Sequence, residues 1–141
     1  MTTPLPAQPV TLDHPAFKLL KARFPTRRFR ATEYRAQSTL IVEPQDLHEV
    51  LAFLRNDPAA DYNFLSDLGG IDYQNYPAPT IGRFAVVYNL IAHQRDDRFF
   101  VKAFLDPTLP TDGVANDPAL FLDSVTDLWP GAEWMEREVF D

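Results

Sequence analysis

Apolar residues recur along this chain with two different periods. Phe17, Leu20 and Phe24 stand at i, i+3 and i+7 behind Pro15, and Pro25 stops the series. That spacing predicts a first helix capped by Asp13, with Pro15 in the first turn, where a missing N–H is harmless. Leu47, Val50, Leu51 and Leu54 repeat at i, i+3, i+4 and i+7 behind Pro44, a second helix that Asp57-Pro58 ends. Between the two, residues 28–42 alternate and are rich in β-formers, which predicts one bent strand or two short ones.

Further along, the period drops to two. Phe84, Val86, Tyr88 and Leu90 fall on one side of a strand over Phe84–Ile91, opposite Ala85, Val87, Asn89 and Ile91. Phe99, Val101, Ala103 and Leu105 line one side of a strand over Phe99–Leu105, and the polar stretch His93–Arg98 reads as the hairpin connection between these two. Tyr62–Tyr73 reads as another strand, in which adjacent Gly69 and Gly70 imply a bulge or a close backbone approach. Pro118–Asp127 and Pro130–Phe140 read as helices. The order α-β-α-β-β-β-α fits an α+β fold of two layers, with helices packed on one face of a mainly antiparallel or mixed sheet. Residues 1–11 read as a disordered lead-in and 12–141 as a single domain.

Composition narrows the chemistry. A chain of 141 residues, 45% apolar, is long enough to bury a core without staples. It has no cysteine, which excludes disulfides, thiolate zinc sites, cysteine-ligated iron–sulfur clusters and a cysteine nucleophile. No apolar run approaches the ~18 residues of a membrane span, and the opening MTTPLPAQPV lacks the pattern of a secretory leader, so a soluble intracellular domain is expected. The net charge of −7 is unevenly spread. Residues 1–35 hold seven basic groups against two acids, whereas residues 106–141 hold nine acids against Arg137 alone. Such asymmetry marks either a contact with a charged surface or two solvated faces. The basic, aromatic-interleaved stretch Lys18–Arg35 superficially suits nucleic acid, but the whole-chain charge works against a polyanion.

Individual candidates for catalysis are weak. His14, His48 and His93 fall on separate elements without metal-ligand spacing. Gly69-Gly70 matches neither a Walker loop nor a dinucleotide loop and runs into a strand-like segment. Ser66 lacks a nucleophile elbow, and simple alternation places Asp67 and Asp72 on opposite faces of their strand. The C-terminal run is less ordinary. It brings Trp129 and Trp134 within six positions and sets Arg137 and Glu138 at i+3 and i+4 from Trp134, where indole stacking and a short charge network are feasible.

Four blocks carry a resemblance. They are Leu51–Arg55 with Tyr62–Tyr73, Arg83–Leu90, Arg98–Ala103, and Ser124–Thr126 with Trp129–Ala132 and Trp134–Asp141. Together they resemble the thirty-kilodalton-type subunit of bacterial respiratory complex I, the proton-translocating NADH:quinone oxidoreductase. The family's signature runs on past its Glu-Arg-Glu start into a Phe-Gly turn and a basic, proline-rich tail, and this sequence is read as ending within that signature. The resemblance implies a scaffold subunit of the hydrophilic arm that binds no flavin, iron–sulfur cluster or metal itself and has no catalytic residue of its own. Its partners, the forty-nine-kilodalton-type subunit and neighbouring iron–sulfur subunits, would carry those groups. It implies a place on the cytoplasmic side of the bacterial inner membrane, without membrane insertion and without nucleic acid. The expected partner interface is Trp129, Trp134, Glu136, Arg137, Glu138 and Asp141. The equivalent subunit of a related membrane-bound hydrogenase or other complex-I-like oxidoreductase is the alternative within the same neighbourhood, and a nucleic-acid module using residues 18–35 is the alternative from another class.

Overall fold

The computed structural model describes residues 14–27, 29–34, 37–73, 82–105, 122 and 124–140. In chain order these form α1 (Pro15–Arg23), β1 (Arg30–Tyr34), β2 (Gln37–Ile41), α2 (Leu47–Asn56), β3 (Phe64–Asp72), β4 (Phe84–Ala92), β5 (Asp97–Leu105) and α3 (Ala132–Phe140). One five-stranded sheet runs in the order β1-β2-β5-β4-β3. Every neighbouring pair is antiparallel except β2 with β5, which is parallel, so the sheet is mixed. After β2 the chain crosses through α2 to the far edge, returns along β4, and inserts β5 into the middle. The segment 28–42 therefore yields two short strands, paired as a hairpin.

The alternation along β4 and β5 has the expected outcome. Leu90 lies opposite Phe99, Tyr88 opposite Val101 and Val86 opposite Ala103. All six are buried in the core between sheet and helices. From α1, Ala16, Phe17, Leu20 and Phe24 enter that core, and from α2, Leu47, Val50, Leu51 and Leu54. Phe99 is the aromatic centre: the rings of His14, Phe17 and Tyr62 lie 4.8, 5.3 and 6.0 Å from it. Aromatic pairs in this range add ~0.5–1.5 kcal/mol beyond the area they bury. The helices thus cover one face of the sheet, as an α+β two-layer fold requires.

Three local expectations need correction. The bulge in β3 falls between Leu65 and Asp67, whereas Gly69 and Gly70 pair in register with Val87 and Val86. The cause is side-chain demand. Leu65 and Leu68 are three apart, so unbroken alternation would turn one of them to the outer face, and the extra residue Ser66 lets both reach the core. The cap of α1 is His14, whose Nδ1 accepts from the Ala16 N–H at 3.1 Å; Asp13 lies outside the described residues. The helix expected over Pro118–Asp127 is not formed where it is described. Residues 124–128 are irregular and turn, because the Ser124 hydroxyl accepts the Thr126 N–H and so competes with helical bonding. The rest of that expectation, and the lead-in 1–11, lie outside the described residues.

Deleting Ser66 should force Leu65 or Leu68 out of the core and lower unfolding stability by ~1.5–3 kcal/mol, the cost of exposing one leucine. Ser66→Ala keeps the residue count and should stay within ~0.5 kcal/mol of the parent. Urea denaturation of the two variants checks both values.

Candidate docking surface

The segment leading into α3 is fixed before the helix starts. Leu128 and Trp129 donate their N–H groups to the Val125 carbonyl, and Ala132 donates to the Trp129 carbonyl. The Trp129 ring is buried, 5% exposed, and its indole Nε1 donates to the Tyr62 carbonyl at 3.2 Å. Glu136 reaches back from the helix: one carboxylate oxygen accepts the Val125 N–H at 2.8 Å, the other the Ser124 hydroxyl at 2.9 Å. Hydrogen bonds to a charged group contribute ~1.5–3 kcal/mol. Glu136 therefore ties α3 back to the turn that precedes it, and Trp129 anchors that turn to Tyr62.

What α3 presents outward is Trp134 and Arg137. Trp134 is 73% exposed, with the Arg137 guanidinium 5.3 Å from its ring centroid. Arg137 also meets Glu133, one helical turn back, at 3.5 Å. The stack is the one expected at i+3, and the Glu133 pair is a further brace that its i, i+4 spacing carries in the sequence. The Glu138 side chain and Asp141 lie outside the described residues. Of the expected interface residues, the structure thus brings Trp134 and Arg137 together at the surface, buries Trp129 and bonds Glu136 to the turn before the helix.

The other candidates are dispersed. His14 donates from Nε2 to Asp97 at 2.8 Å, since its Nδ1 is already an acceptor. His48 meets Asp127 at 3.0 Å, and His93 stacks on Phe64 with centroids 5.0 Å apart. Ser66 sits at the bulge, and no described histidine bonds to it. Asp67 and Asp72 lie opposite Asn89 and Phe84 respectively, hence on opposite faces. Among the described residues no three His, Cys, Asp or Glu side chains converge as metal ligands would. The basic stretch is divided between α1 and β1, and Arg27 is engaged by Asp46 and Glu49. No helix of the described residues is long and apolar enough to cross a membrane. Exposed Phe64 and Arg55, beside the Trp129 turn, fall within the blocks Tyr62–Tyr73 and Leu51–Arg55, but no spacing in the sequence marks either as a surface feature.

Two buried tyrosines carry perturbed hydroxyls. Burial pushes Tyr62 well above its ordinary value, and the hydrogen bond and charge of Asp97 add to this, against a smaller opposing effect of Arg95. Burial likewise raises Tyr88, helped by the nearby charge of Glu136.

Comparison with known proteins places the chain. The family model described as "Respiratory-chain NADH dehydrogenase, 30 Kd subunit" matches residues 40–141. A protein of Roseiflexus sp. (strain RS-1), named as the C subunit of an NADH-quinone oxidoreductase, is 35% identical over 122 residues, 86% of this chain and 62% of its own length. The protein of the same name from Citrifermentans bemidjiense is 38% identical over 122 residues, again 86% of this chain and 66% of its own. The chain therefore spans somewhat under two thirds of the length of these relatives. Among solved structures, a trypsin-resistant fragment of Nqo5 superposes with a TM-score of 0.67 at 28% identity, over 89% of this chain and 90% of that one.

Two outcomes follow from this geometry. Glu136→Gln should destabilise the chain by ~1–2 kcal/mol in urea denaturation, since an amide replaces the charged acceptor of the Val125 N–H and Ser124 hydroxyl. A hydroxyl raised on folding contributes its full stability below the unfolded value, ordinarily 10.0, and loses it above. Unfolding free energy should therefore decline as pH rises beyond about 10. The paired replacement Tyr62→Phe with Tyr88→Phe should flatten that decline, measured as the pH dependence of the urea midpoint.

Proposed function

The chain belongs to the family of respiratory-chain NADH dehydrogenase 30 Kd subunits, and from that membership we propose that it is a non-catalytic scaffold subunit in the peripheral arm of a proton-translocating NADH:quinone oxidoreductase. Its docking partner is the forty-nine-kilodalton-type subunit, with iron–sulfur subunits of the arm as neighbours. Flavin and clusters sit in those partners, which carry electrons from NADH to quinone. This chain supports the transfer by position, peripheral to the membrane on the cytoplasmic side. The observation that carries the reading is the exposed Trp134–Arg137 pair on a helix that Glu136 ties to the turn before it. Tryptophan and arginine are the residue types that dominate interface energies, and a pre-seated helix loses little entropy when it docks. Glu136 and Trp129 serve the same surface by seating it.

Co-expression with the forty-nine-kilodalton-type subunit, followed by affinity purification of one and detection of the other, tests the assignment. Stoichiometric recovery that survives moderate salt is expected. Trp134→Ala and Arg137→Ala should each weaken the complex by ~2 kcal/mol, roughly 30-fold in Kd. Wild-type affinity in both variants overturns the assignment of this surface.

A further inference from the structure

Between the end of α2, the start of β3 and the turn into α3 lies an open cavity of about 220 Å³. Its walls include Phe64, Leu128, Trp129, Gly131 and Met135, with Arg55 at one side. Phe64 is 42% exposed at its edge, and Trp134 precedes Met135 on α3. The volume is below the ~300–1,000 Å³ typical of small-molecule sites, and suits one inserted side chain. Its charge is also distinctive. Among the described residues Arg55 makes a single hydrogen bond, from Nε to the Leu128 carbonyl at 3.3 Å, and no ion pair. The terminal nitrogens of its guanidinium are thus left to face a carboxylate in the fork geometry that arginine favours.

We propose that this cavity is the anchor pocket of the docking surface: it receives one apolar side chain of the forty-nine-kilodalton-type subunit, and Arg55 pairs with an aspartate or glutamate next to that side chain. The inference rests on the docking reading above and adds to it the chemistry of the partner segment. An apolar anchor excludes water from the pocket, which strengthens the adjacent Arg55 ion pair, while the flanking Trp134–Arg137 stack extends the contact along α3.

Gly131 provides a test that leaves the fold alone. Gly131 lines the cavity and a Cβ placed there meets no atom within 4 Å, so Gly131→Phe adds bulk at the cavity wall without crowding the core. Its thermal midpoint should match the parent, and its Kd for the forty-nine-kilodalton-type subunit should rise at least about tenfold. Arg55→Glu should weaken the complex similarly. With p-benzoylphenylalanine in place of Gly131, illumination of the complex should cross-link to a partner peptide holding an apolar residue within two positions of an acid. If the wild-type chain fails to co-purify with that subunit in folded form, the docking reading fails and this proposal with it. If the wild type co-purifies and Gly131→Phe binds equally well, or the cross-link forms only within this chain, the pocket assignment alone is overturned.

Discussion

Tyr62 is the constraint on which the arrangement of the helices depends. It is fully buried, and each of its polar groups is committed to a different part of the chain. Its N–H donates to the Leu54 carbonyl at the end of α2, its carbonyl accepts the Trp129 indole, and its hydroxyl donates to Asp97 at the start of β5. Asp97 in turn receives His14, which caps α1. One residue therefore ties the ends of three helical segments to the central strand. Asp61, immediately before it, adopts a left-handed φ of 45°, the turn that delivers the chain from α2 into this position. A buried polar group left without a partner costs ~1–3 kcal/mol, so each of these ties is expensive to release.

The three histidines show the same economy on a smaller scale. Each joins elements distant in sequence: His14 to Asp97, His48 to Asp127 and His93 to Phe64. Their scatter along the chain, which argues against a metal site, is what allows each to act as a separate tie.

How much of this was legible in the sequence depends on the range of the interaction. The hairpin of β4 and β5 was readable because Val86, Tyr88, Leu90, Phe99, Val101 and Ala103 keep strict alternation and all face the core. The helices were readable from Phe17, Leu20 and Phe24, and from Leu47, Val50, Leu51 and Leu54. The glycine pair is a misleading marker of the bulge, whereas the spacing of Leu65 and Leu68, three apart on a strand, demands an inserted residue between them. On α3, the Trp134–Arg137 stack follows from helical spacing. The inward role of Glu136 does not, because its acceptor duty is set by Ser124 and Val125, which only the turn at Thr126–Leu128 brings within reach. Arg55 was silent for the same reason: its neighbours come from β3 and from the turn before α3.

The parallel pairing of β2 with β5 has a bearing on how the chain is made. Thr39 pairs with Thr32 inside the N-terminal hairpin but meets its second partner, Phe100, only across the parallel ladder, so the hairpin emerges from the ribosome long before β5. Until β5 arrives, β2 and β4 each expose an unpaired edge, and α1 lacks Phe99 to pack against. Such long-range closure slows folding and leaves strand edges open to the wrong neighbour. Because β5 lies between β2 and β4, the five-stranded sheet cannot close until Asp97–Leu105 has been made, and the Trp134–Arg137 stack of α3 comes later still along the chain.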